Sequence, residues 1–151
     1  MIKILFICHG NICRSPMAQF VMQDIINREG MQGEFLIQSA ATSTEELGNP
    51  VHPGTRNKLA EFGISTEGKR AVQIRRADYD KYDYLIGMDT WNIKNMKRIL
   101  GEDREKKIYK LLDFTNRGGD IADPWYTGNF DETYRDVKEG CEALFKHLQE
   151  G

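Results

Sequence analysis

The chain has 151 residues, 40% of them hydrophobic and 29% charged, which is the composition of an ordinary globular protein able to bury one core. A formal net charge of −2 gives no overall basic character and argues against nucleic acid and anionic membranes as partners. No apolar run approaches the roughly 18 residues of a membrane helix, and the first apolar run is too short for a signal peptide. Three cysteines, two of them in one short segment, favour reactive thiols in a reducing compartment. We therefore expect one domain over residues 1–151, located in the cytoplasm.

The first half of the chain alternates strand and helix patterns. Residues 2–7 are mostly apolar and rich in isoleucine, which predicts a short buried strand. Over about 16–30 the apolar side chains recur every three or four residues and predict a helix. A second strand is predicted within 33–40, and the polar stretch 43–53, with two prolines and a glycine, is predicted to be a loop. A short helix over 54–62 follows.

The second half of the chain continues the alternation. The apolar run 84–88 predicts a third strand, and a helix capped by Asp89 or Thr90 is predicted to end at Leu100. The remaining predicted elements are a fourth strand over 107–112, an aperiodic stretch over 113–129, and an amphipathic helix with apolar positions Phe130, Tyr134, Val137, Cys141, Leu144 and Leu148.

This order of elements predicts the fold class. Alternating strands and helices build an α/β protein whose parallel sheet is covered by helices on both faces. Such sheets bind ligands at the carboxyl ends of their strands. Cys8 directly follows the first strand, so it lies where a site is expected.

The segment Cys8-His9-Gly10-Asn11-Ile12-Cys13-Arg14-Ser15-Pro16 joins the first strand to the first helix. A tight loop that opens a helix points its N–H groups inward, and the helix dipole adds positive potential, which predicts a binding site for a phosphate-sized dianion. Gly10 is expected to allow backbone conformations that a side chain would forbid. Arg14 can hold two phosphate oxygens with its planar guanidinium. Cys8 is the expected nucleophile, because helix N-termini and a nearby arginine stabilise a thiolate, and Ser15 can donate its hydroxyl to that sulfur.

Other chemistry is open to the three cysteines. A zinc site built from Cys8, His9 and Cys13 would lack a second ligand pair, since Cys141 lies on an apolar helix face. Cys13 is close enough in sequence to form a disulfide with Cys8, which would block the nucleophile reversibly; alternatively, it is a small residue that fits the loop. Cys141 is predicted to be structural.

The best candidate for a general acid is Asp123, in the sequence Ala122-Asp123-Pro124-Trp125-Tyr126. Pro124 favours an extended conformation at Asp123 and stiffens the loop. Trp125 and Tyr126 are expected to shield the carboxyl group from water, which favours its protonated form. The two rings either form a wall for a phenyl group or simply cover the loop. Asp113 and Asp120 compete from the same stretch but have no adjacent aromatic pair.

Together, the cysteine loop and the Asp-Pro-aromatic loop resemble those of the low-molecular-weight protein tyrosine phosphatases. That family carries C-x-G-N-I-C-R-S-P near its N-terminus and a late Asp-Pro-aromatic sequence. The resemblance spans nearly the whole chain, with further matches at Ser39-Ala40-Ala41-Thr42, Asp83-Tyr84, Met88-Asp89 and Asn92. It implies a flavodoxin-like fold in which helices cover both faces of a four-stranded parallel sheet.

The same resemblance implies a two-step hydrolysis of phosphotyrosine in proteins, with inorganic phosphate as product and without metal or cofactor. Cys8 takes the phosphoryl group while Asp123 protonates the leaving phenol; Asp123 then activates the water that releases phosphate. Arg14 is the third catalytic residue that the resemblance implies, and Asn11 orders the loop with Ser39 and Ser15. Substrate binding is assigned to His9, Gly10, Asn11, Ile12, Cys13, Ser15, Trp125 and Tyr126.

Two segments depart from the family pattern. Members often carry an aromatic residue just before the Gly48 region that forms one wall of the phosphotyrosine slot, whereas this chain has Thr44-Glu45-Glu46-Leu47. Many also have a histidine shortly after the Gly63-Ile64 turn that supports the loop asparagine, whereas this chain has Glu67-Gly68-Lys69-Arg70. The wall and the support are therefore expected to differ here.

Related activities occur on the same fold, so the fold alone does not decide the function. Arsenate reductases need a resolving thiol around the third strand, and residues 80–100 contain no cysteine. Protein-arginine phosphatases resemble this loop but have threonine where Ile12 stands, and an isoleucine there favours aryl phosphates. A catalytically silent phosphate-binding module is the remaining alternative.

Overall fold

The computed structural model describes residues 1–150 and contains one four-stranded parallel sheet. The strands lie in the order β2–β1–β3–β4, so the first strand is central and pairs with both β2 and β3. Their bounds are Ile2–Cys8 (β1), Phe35–Ala41 (β2), Tyr84–Gly87 (β3) and Ile108–Lys110 (β4). The predicted four-stranded parallel sheet is therefore confirmed.

Six α-helices and two short 3₁₀ helices connect and cover the strands. The α-helices are Arg14–Arg28 (α1), Pro53–Ala60 (α2), Asp78–Lys81 (α3), Thr90–Leu100 (α4), Pro124–Thr127 (α5) and Phe130–Glu150 (α6), and the 3₁₀ helices are Gln32–Glu34 and Leu111–Phe114. No helix within residues 1–150 has the length and hydropathy that a membrane span requires.

The side chains of β1 alternate between two hydrophobic clusters on opposite faces of the sheet. Ile4 and Phe6 belong to the larger cluster, together with apolar residues of α1 and α6. Leu5 and Ile7 belong to the second cluster, which contains residues of α3 and α4. Because successive strand residues point to opposite faces, a wholly apolar strand implies burial on both sides. The predicted cover by helices on both faces is confirmed.

The structure differs from the predicted elements where apolar runs are short. The strand predicted over 107–112 ends at Lys110, and the chain continues into the 3₁₀ helix Leu111–Phe114, of which Leu111 and Leu112 are fully buried. A continuous apolar run does not distinguish a strand from a buried helical turn. The acidic stretch before β3 contains the short helix α3, and the aperiodic stretch after β4 contains α5, neither of which periodicity could reveal.

Main-chain hydrogen bonds bring the ends of all four strands and the connections after them to one edge of the sheet. The N–H of Thr42, just after β2, donates to the carbonyl of Cys8, the last residue of β1. The N–H of Ile121 donates to the carbonyl of Met88, just after β3. The stretch that leads to Asp123 is thereby held beside the loop that follows β3. This edge carries the candidate site.

We expect Gly140→Ala to destabilise the protein. A Cβ atom at Gly140 in α6 would lie 2.5 Å from Cγ of buried Leu111, and forcing extra atoms into a packed core costs about 1–3 kcal/mol. This cost opposes the roughly 1 kcal/mol that alanine gains over glycine within a helix. Urea unfolding should show a lower free energy of unfolding than wild type. A Cβ at Gly33 meets nothing within 4 Å, so Gly33→Ala is the matched control. A Gly140→Ala protein as stable as that control would contradict the packing described here.

Candidate active site

The turn that follows β1 wraps around the sulfur of Cys8. The Ser15 hydroxyl oxygen lies 3.0 Å from Cys8 Sγ, and the Ser15 N–H donates to the same sulfur at 3.4 Å. Cys8 and Ser15 are both buried. Two hydrogen-bond donors can therefore converge on one sulfur, an arrangement that stabilises negative charge there.

The main-chain N–H groups of residues 9–14 are free to bind an anion. None of them donates a hydrogen bond to an acceptor within residues 1–150. Helix α1 begins at Arg14 without a side-chain cap, so its first N–H groups and the positive end of its dipole face the same turn. Pro16 lies in the first helical turn, where a missing N–H costs little. The turn is therefore an anion-binding nest at the start of a helix.

Asn11 holds this turn from beneath. Its side-chain NH₂ donates to the hydroxyl oxygens of Ser15 at 2.8 Å and Ser39 at 2.9 Å. Its side-chain oxygen accepts from the N–H of Val72 at 3.1 Å. Asn11 is buried and adopts a φ of 58°, a left-handed conformation that asparagine tolerates better than most residues. One side chain thus ties the turn to β2 and to the segment before α3.

The expectation that Gly10 supplies the unusual backbone conformation of the turn is wrong. The residue with positive φ is Asn11, and Gly10 is not among the glycines with positive φ. A Cβ at Gly10 would instead lie 3.3 Å from Cγ of Glu46, closer than most real contacts. A side chain at Gly10 would therefore require the Glu46 side chain to move by a few tenths of an ångström.

Arg14 is fixed by acceptors from two other loops. Its Nη1 donates to Oδ2 of Asp89 at 2.6 Å and to the carbonyl of Ile121 at 2.9 Å, and its Nη2 lies 3.4 Å from Oδ2 of Asp123. Burial by itself would lower the pKa of Arg14, but the negative charges of Cys8, Asp89 and Asp123 raise it overall. The buried guanidinium therefore stays cationic.

Asp89 belongs to a segment that matches the family pattern, but the sequence does not predict its contact with Arg14. It directly precedes α4 and caps that helix, accepting from the N–H of Asn92 at 2.7 Å with one carboxylate oxygen. The other oxygen binds Arg14. The one sequence feature that points to this contact is the position of Asp89 after β3, because residues that follow parallel strands meet at one edge of the sheet.

Asp123 lines the same cavity as Cys8 and has two exposed aromatic residues beside it. Its carboxylate accepts from the Trp125 N–H at 3.0 Å and caps α5. Trp125 and Tyr126 are 57% and 83% exposed, yet the Asp123 side chain is only 24% exposed, so its carboxyl group is largely removed from solvent. The contribution of the two rings to this cover stays a prediction. Trp125 meets the ring of His52 edge-on, and His52 stacks on Phe130 at 5.3 Å. Neither periodicity nor motif spacing signals this aromatic support for the loop.

A cavity above Cys8 brings most of the predicted site residues together. Asn11 and Ser15 lie beneath the turn, and the other nine predicted residues line the cavity. The complete lining is Cys8, His9, Gly10, Ile12, Cys13, Arg14, Glu45, Glu46, Asp123, Trp125 and Tyr126. Within residues 1–150 no three His, Cys, Asp or Glu side chains are grouped so as to hold a metal ion, and this leaves the zinc alternative without support.

Comparison with known proteins identifies the family. Residues 3–151 match the family described as low molecular weight phosphotyrosine protein phosphatase. The chain is 40% identical to the low molecular weight protein-tyrosine-phosphatase YfkJ of Bacillus subtilis, covering 99% of this chain and 97% of YfkJ. The chain belongs to the low molecular weight phosphotyrosine protein phosphatase family.

Solved structures agree with this assignment. The crystal structure of YfkJ superposes with a TM-score of 0.96, covering 99% of this chain and 96% of that one. A low molecular weight protein tyrosine phosphatase from Streptococcus pyogenes is 42% identical, with a TM-score of 0.86 and coverage of 98% and 93%. A Drosophila arginine phosphatase superposes with a TM-score of 0.88 at 24% identity and 97% and 98% coverage, which reports only the shared fold.

The phosphatase has an acidic rim where relatives often carry an aromatic wall. Glu45 is exposed, and its Oε2 lies within hydrogen-bonding distance, 2.9 Å, of Nε2 of His9. Glu46 accepts from the side-chain NH₂ of Asn49 at 2.6 Å. Asp123 adds a third carboxylate to the cavity lining. The entrance to the site is therefore negatively charged.

The phosphatase lacks the histidine that supports the loop asparagine in many family members, and other groups supply that support. The main-chain N–H of Val72 supports the loop asparagine, Asn11. Lys69 reaches under β2, and its ammonium donates to the carbonyl oxygen of Ser39 at 3.0 Å. The Lys69 side chain is partly buried.

Cys13 is a free thiol, as are Cys8 and Cys141. Burial, and then the negative charges of Cys8, Asp123 and Glu46, raise the pKa of Cys13 to about 12. Its thiolate is therefore scarce near neutral pH, which limits its attack on an oxidised Cys8.

We expect peroxide to produce a disulfide between Cys8 and Cys13 slowly, and faster as pH rises. In this step the Cys13 thiolate attacks the sulfenic acid of Cys8, the S–S bond forms, and hydroxide leaves. Below its pKa the thiolate fraction grows about tenfold per pH unit. Mass spectrometry of peptides at several pH values measures the bridge. Cys13→Ser is the control and should retain a dimedone-reactive sulfenic acid. A rate independent of pH would contradict this account, and absence of the bridge would remove the redox role.

Proposed function

We propose that this enzyme hydrolyses phosphotyrosine in proteins through a cysteinyl-phosphate on Cys8. The observation that carries the proposal is the position of Cys8 Sγ at the base of a turn whose N–H groups have no acceptor within residues 1–150. Arg14 lines the same cavity and remains cationic. A phosphoryl group that enters this turn meets a nucleophile and a set of oxygen-binding donors at once.

In the first step the Cys8 thiolate attacks phosphorus and the bond between phosphorus and the phenolic oxygen breaks. The N–H groups of the turn and Arg14 bind the equatorial phosphoryl oxygens, where negative charge is concentrated in the transition state. Ionisation of a free cysteine raises its reactive fraction only about 30-fold at neutral pH, so the fixed donors must supply most of the acceleration.

Asp123 is proposed to give its proton to the phenolic oxygen as it leaves. The Asp123 carboxyl group lies 3.4 Å from Nη2 of Arg14 and lines the same cavity as Cys8, so it is placed beside a phosphoryl group bound there. A general acid must lie within hydrogen-bonding reach of the oxygen to which it gives its proton.

In the second step water attacks phosphorus and the S–P bond breaks. Asp123, now ionised, accepts the proton of the attacking water, and inorganic phosphate is released. The Ser15 hydroxyl lies 3.0 Å from the sulfur and is placed to donate to the departing thiolate. The cycle needs no cofactor.

The cavity favours an aryl phosphate over the alternative substrates. Ile12 lines it and presents no hydroxyl toward a phosphoryl guanidinium, as threonine would. An arsenate reductase needs a mobile resolving thiol, whereas Cys141 is fully buried with its sulfur 3.6 Å from the Ala18 carbonyl. Exposed Trp125 and Tyr126 remain candidates for contact with the phenyl ring. We also propose that the enzyme works in the cytoplasm, where its thiols stay reduced.

Replacement of the acid should slow turnover in a way that depends on the leaving group. Asp123→Asn is expected to lower kcat on phenyl phosphate by about 10²–10⁴-fold, because the phenol then leaves without a proton. The loss should shrink with para-nitrophenyl phosphate, whose leaving group is a weaker base. Asp113→Asn is the matched control, since Asp113 follows the same strand and is not part of the cavity.

Two outcomes of this comparison would contradict the assignments. Full activity of Asp123→Asn on phenyl phosphate would show that another group is the acid. Cys8→Ser should have no turnover and still bind vanadate. A Cys8→Ser protein that turns over substrate would contradict the nucleophile, and a wild type that binds vanadate without any turnover would indicate a silent phosphate-binding module.

The acidic rim should favour phosphotyrosine flanked by lysine or arginine. Each exposed charge pair contributes little, so we expect kcat/KM to favour a lysine-flanked over a glutamate-flanked phosphopeptide by about fivefold at low salt. The double variant Glu45→Gln, Glu46→Gln should bring this ratio close to one. Glu102→Gln, which changes an exposed glutamate outside the cavity, is the control. A preference that survives the double variant would show that the rim does not select the substrate.

A further inference from the structure

Lys69 is a partly buried cation with no carboxylate partner. Within residues 1–150 it forms no ion pair. Its ammonium donates instead to the main-chain carbonyl of Ser39 at 3.0 Å. Removing a charge from water without a counter-ion is unfavourable, and burial lowers the pKa of Lys69 to about 8. The negative charge of Cys8 acts in the opposite direction and raises that pKa.

Lys69 is connected to Cys8 through three side chains. The Ser39 hydroxyl accepts from Asn11 at 2.9 Å, and the same NH₂ of Asn11 donates to Ser15 at 2.8 Å. The Ser15 hydroxyl lies 3.0 Å from the sulfur of Cys8. Lys69 therefore binds the main chain of Ser39, whose hydroxyl accepts a hydrogen bond from Asn11 in the phosphate-binding turn.

The charge balance of the site leaves a need for further positive charge. The buried Arg14 is shared between the carboxylates of Asp89 and Asp123. Glu45 and Glu46 add two more carboxylates at the rim. A thiolate and a phosphate dianion must nevertheless bind within this group. A cation that no carboxylate neutralises adds positive potential to this group of charges.

We propose that Lys69 is a positioning residue for the reaction: it fixes Ser39 beneath the phosphate-binding turn, and its unpaired ammonium stabilises both the Cys8 thiolate and the bound dianion. This inference rests on the proposed function of Cys8. Cys8 is the ionisable group whose charge acts on Lys69, so the two groups are electrostatically coupled. The coupling is reciprocal, because a thiolate that favours the ammonium is itself favoured by it.

The test separates the charge of Lys69 from its hydrogen bond. Lys69→Gln keeps a donor for the Ser39 carbonyl without charge, Lys69→Met removes both, and Lys69→Arg keeps the charge. Arg70→Gln is the matched control, since Arg70 is an adjacent, exposed cation outside the cavity. For each folded variant, two quantities are measured: the pH midpoint of Cys8 alkylation by iodoacetamide, quantified by fragment-ion mass spectrometry, and the Kd for vanadate.

We expect both neutral variants to raise the alkylation midpoint by about one pH unit and to weaken vanadate binding roughly tenfold. Lys69→Arg and Arg70→Gln should remain near wild type. If Lys69→Gln matches wild type in both measurements, the charge of Lys69 has no such role and the inference is overturned, whatever Lys69→Met does. Failure of the proposed function would show in the wild type itself. Vanadate would then not protect Cys8 of the wild-type protein from alkylation by iodoacetamide.

Discussion

The structure depends on one constraint: the turn between β1 and α1 must keep its N–H groups without acceptors of their own around a buried sulfur. Free N–H groups that converge on one point repel each other, so the turn has to be held from outside. Asn11 does this with three hydrogen bonds and a left-handed backbone conformation. The central position of β1 in the sheet fixes where the turn begins. The proposed chemistry is possible because this geometry exists before substrate binds.

The site also balances opposing charges. Arg14 must approach the phosphoryl oxygens, yet it is buried and would be free to reorient without partners. Asp89 and the Ile121 carbonyl fix its orientation at the expense of part of its positive potential. The N–H groups of the turn and Lys69 supply positive potential from other directions. Distributing charge in this way lets a net negative site bind a dianion.

Sequence could predict the local parts of this arrangement. The strand before Cys8, helix α1 and the long helix α6 have clear periodicity, and the motif from Cys8 to Pro16 specified the turn. What sequence could not predict depends on contacts between distant segments. Three contacts join segments that lie far apart in the sequence. They are the ion pair of Asp89 with Arg14, the hydrogen bond from Lys69 to the Ser39 carbonyl, and the close approach of Glu46 to Gly10. Their side chains have ordinary alternative roles on a protein surface.

The most direct test of the central claim is to trap the phosphorylated enzyme. Para-nitrophenyl phosphate is mixed with the protein, the reaction is quenched in acid within one turnover, and peptides are analysed by mass spectrometry. The account predicts a phosphoryl group on the sulfur of Cys8, formed at the rate of the nitrophenol burst. A phosphoryl group on another residue, or hydrolysis with no covalent intermediate at any time point, would contradict it.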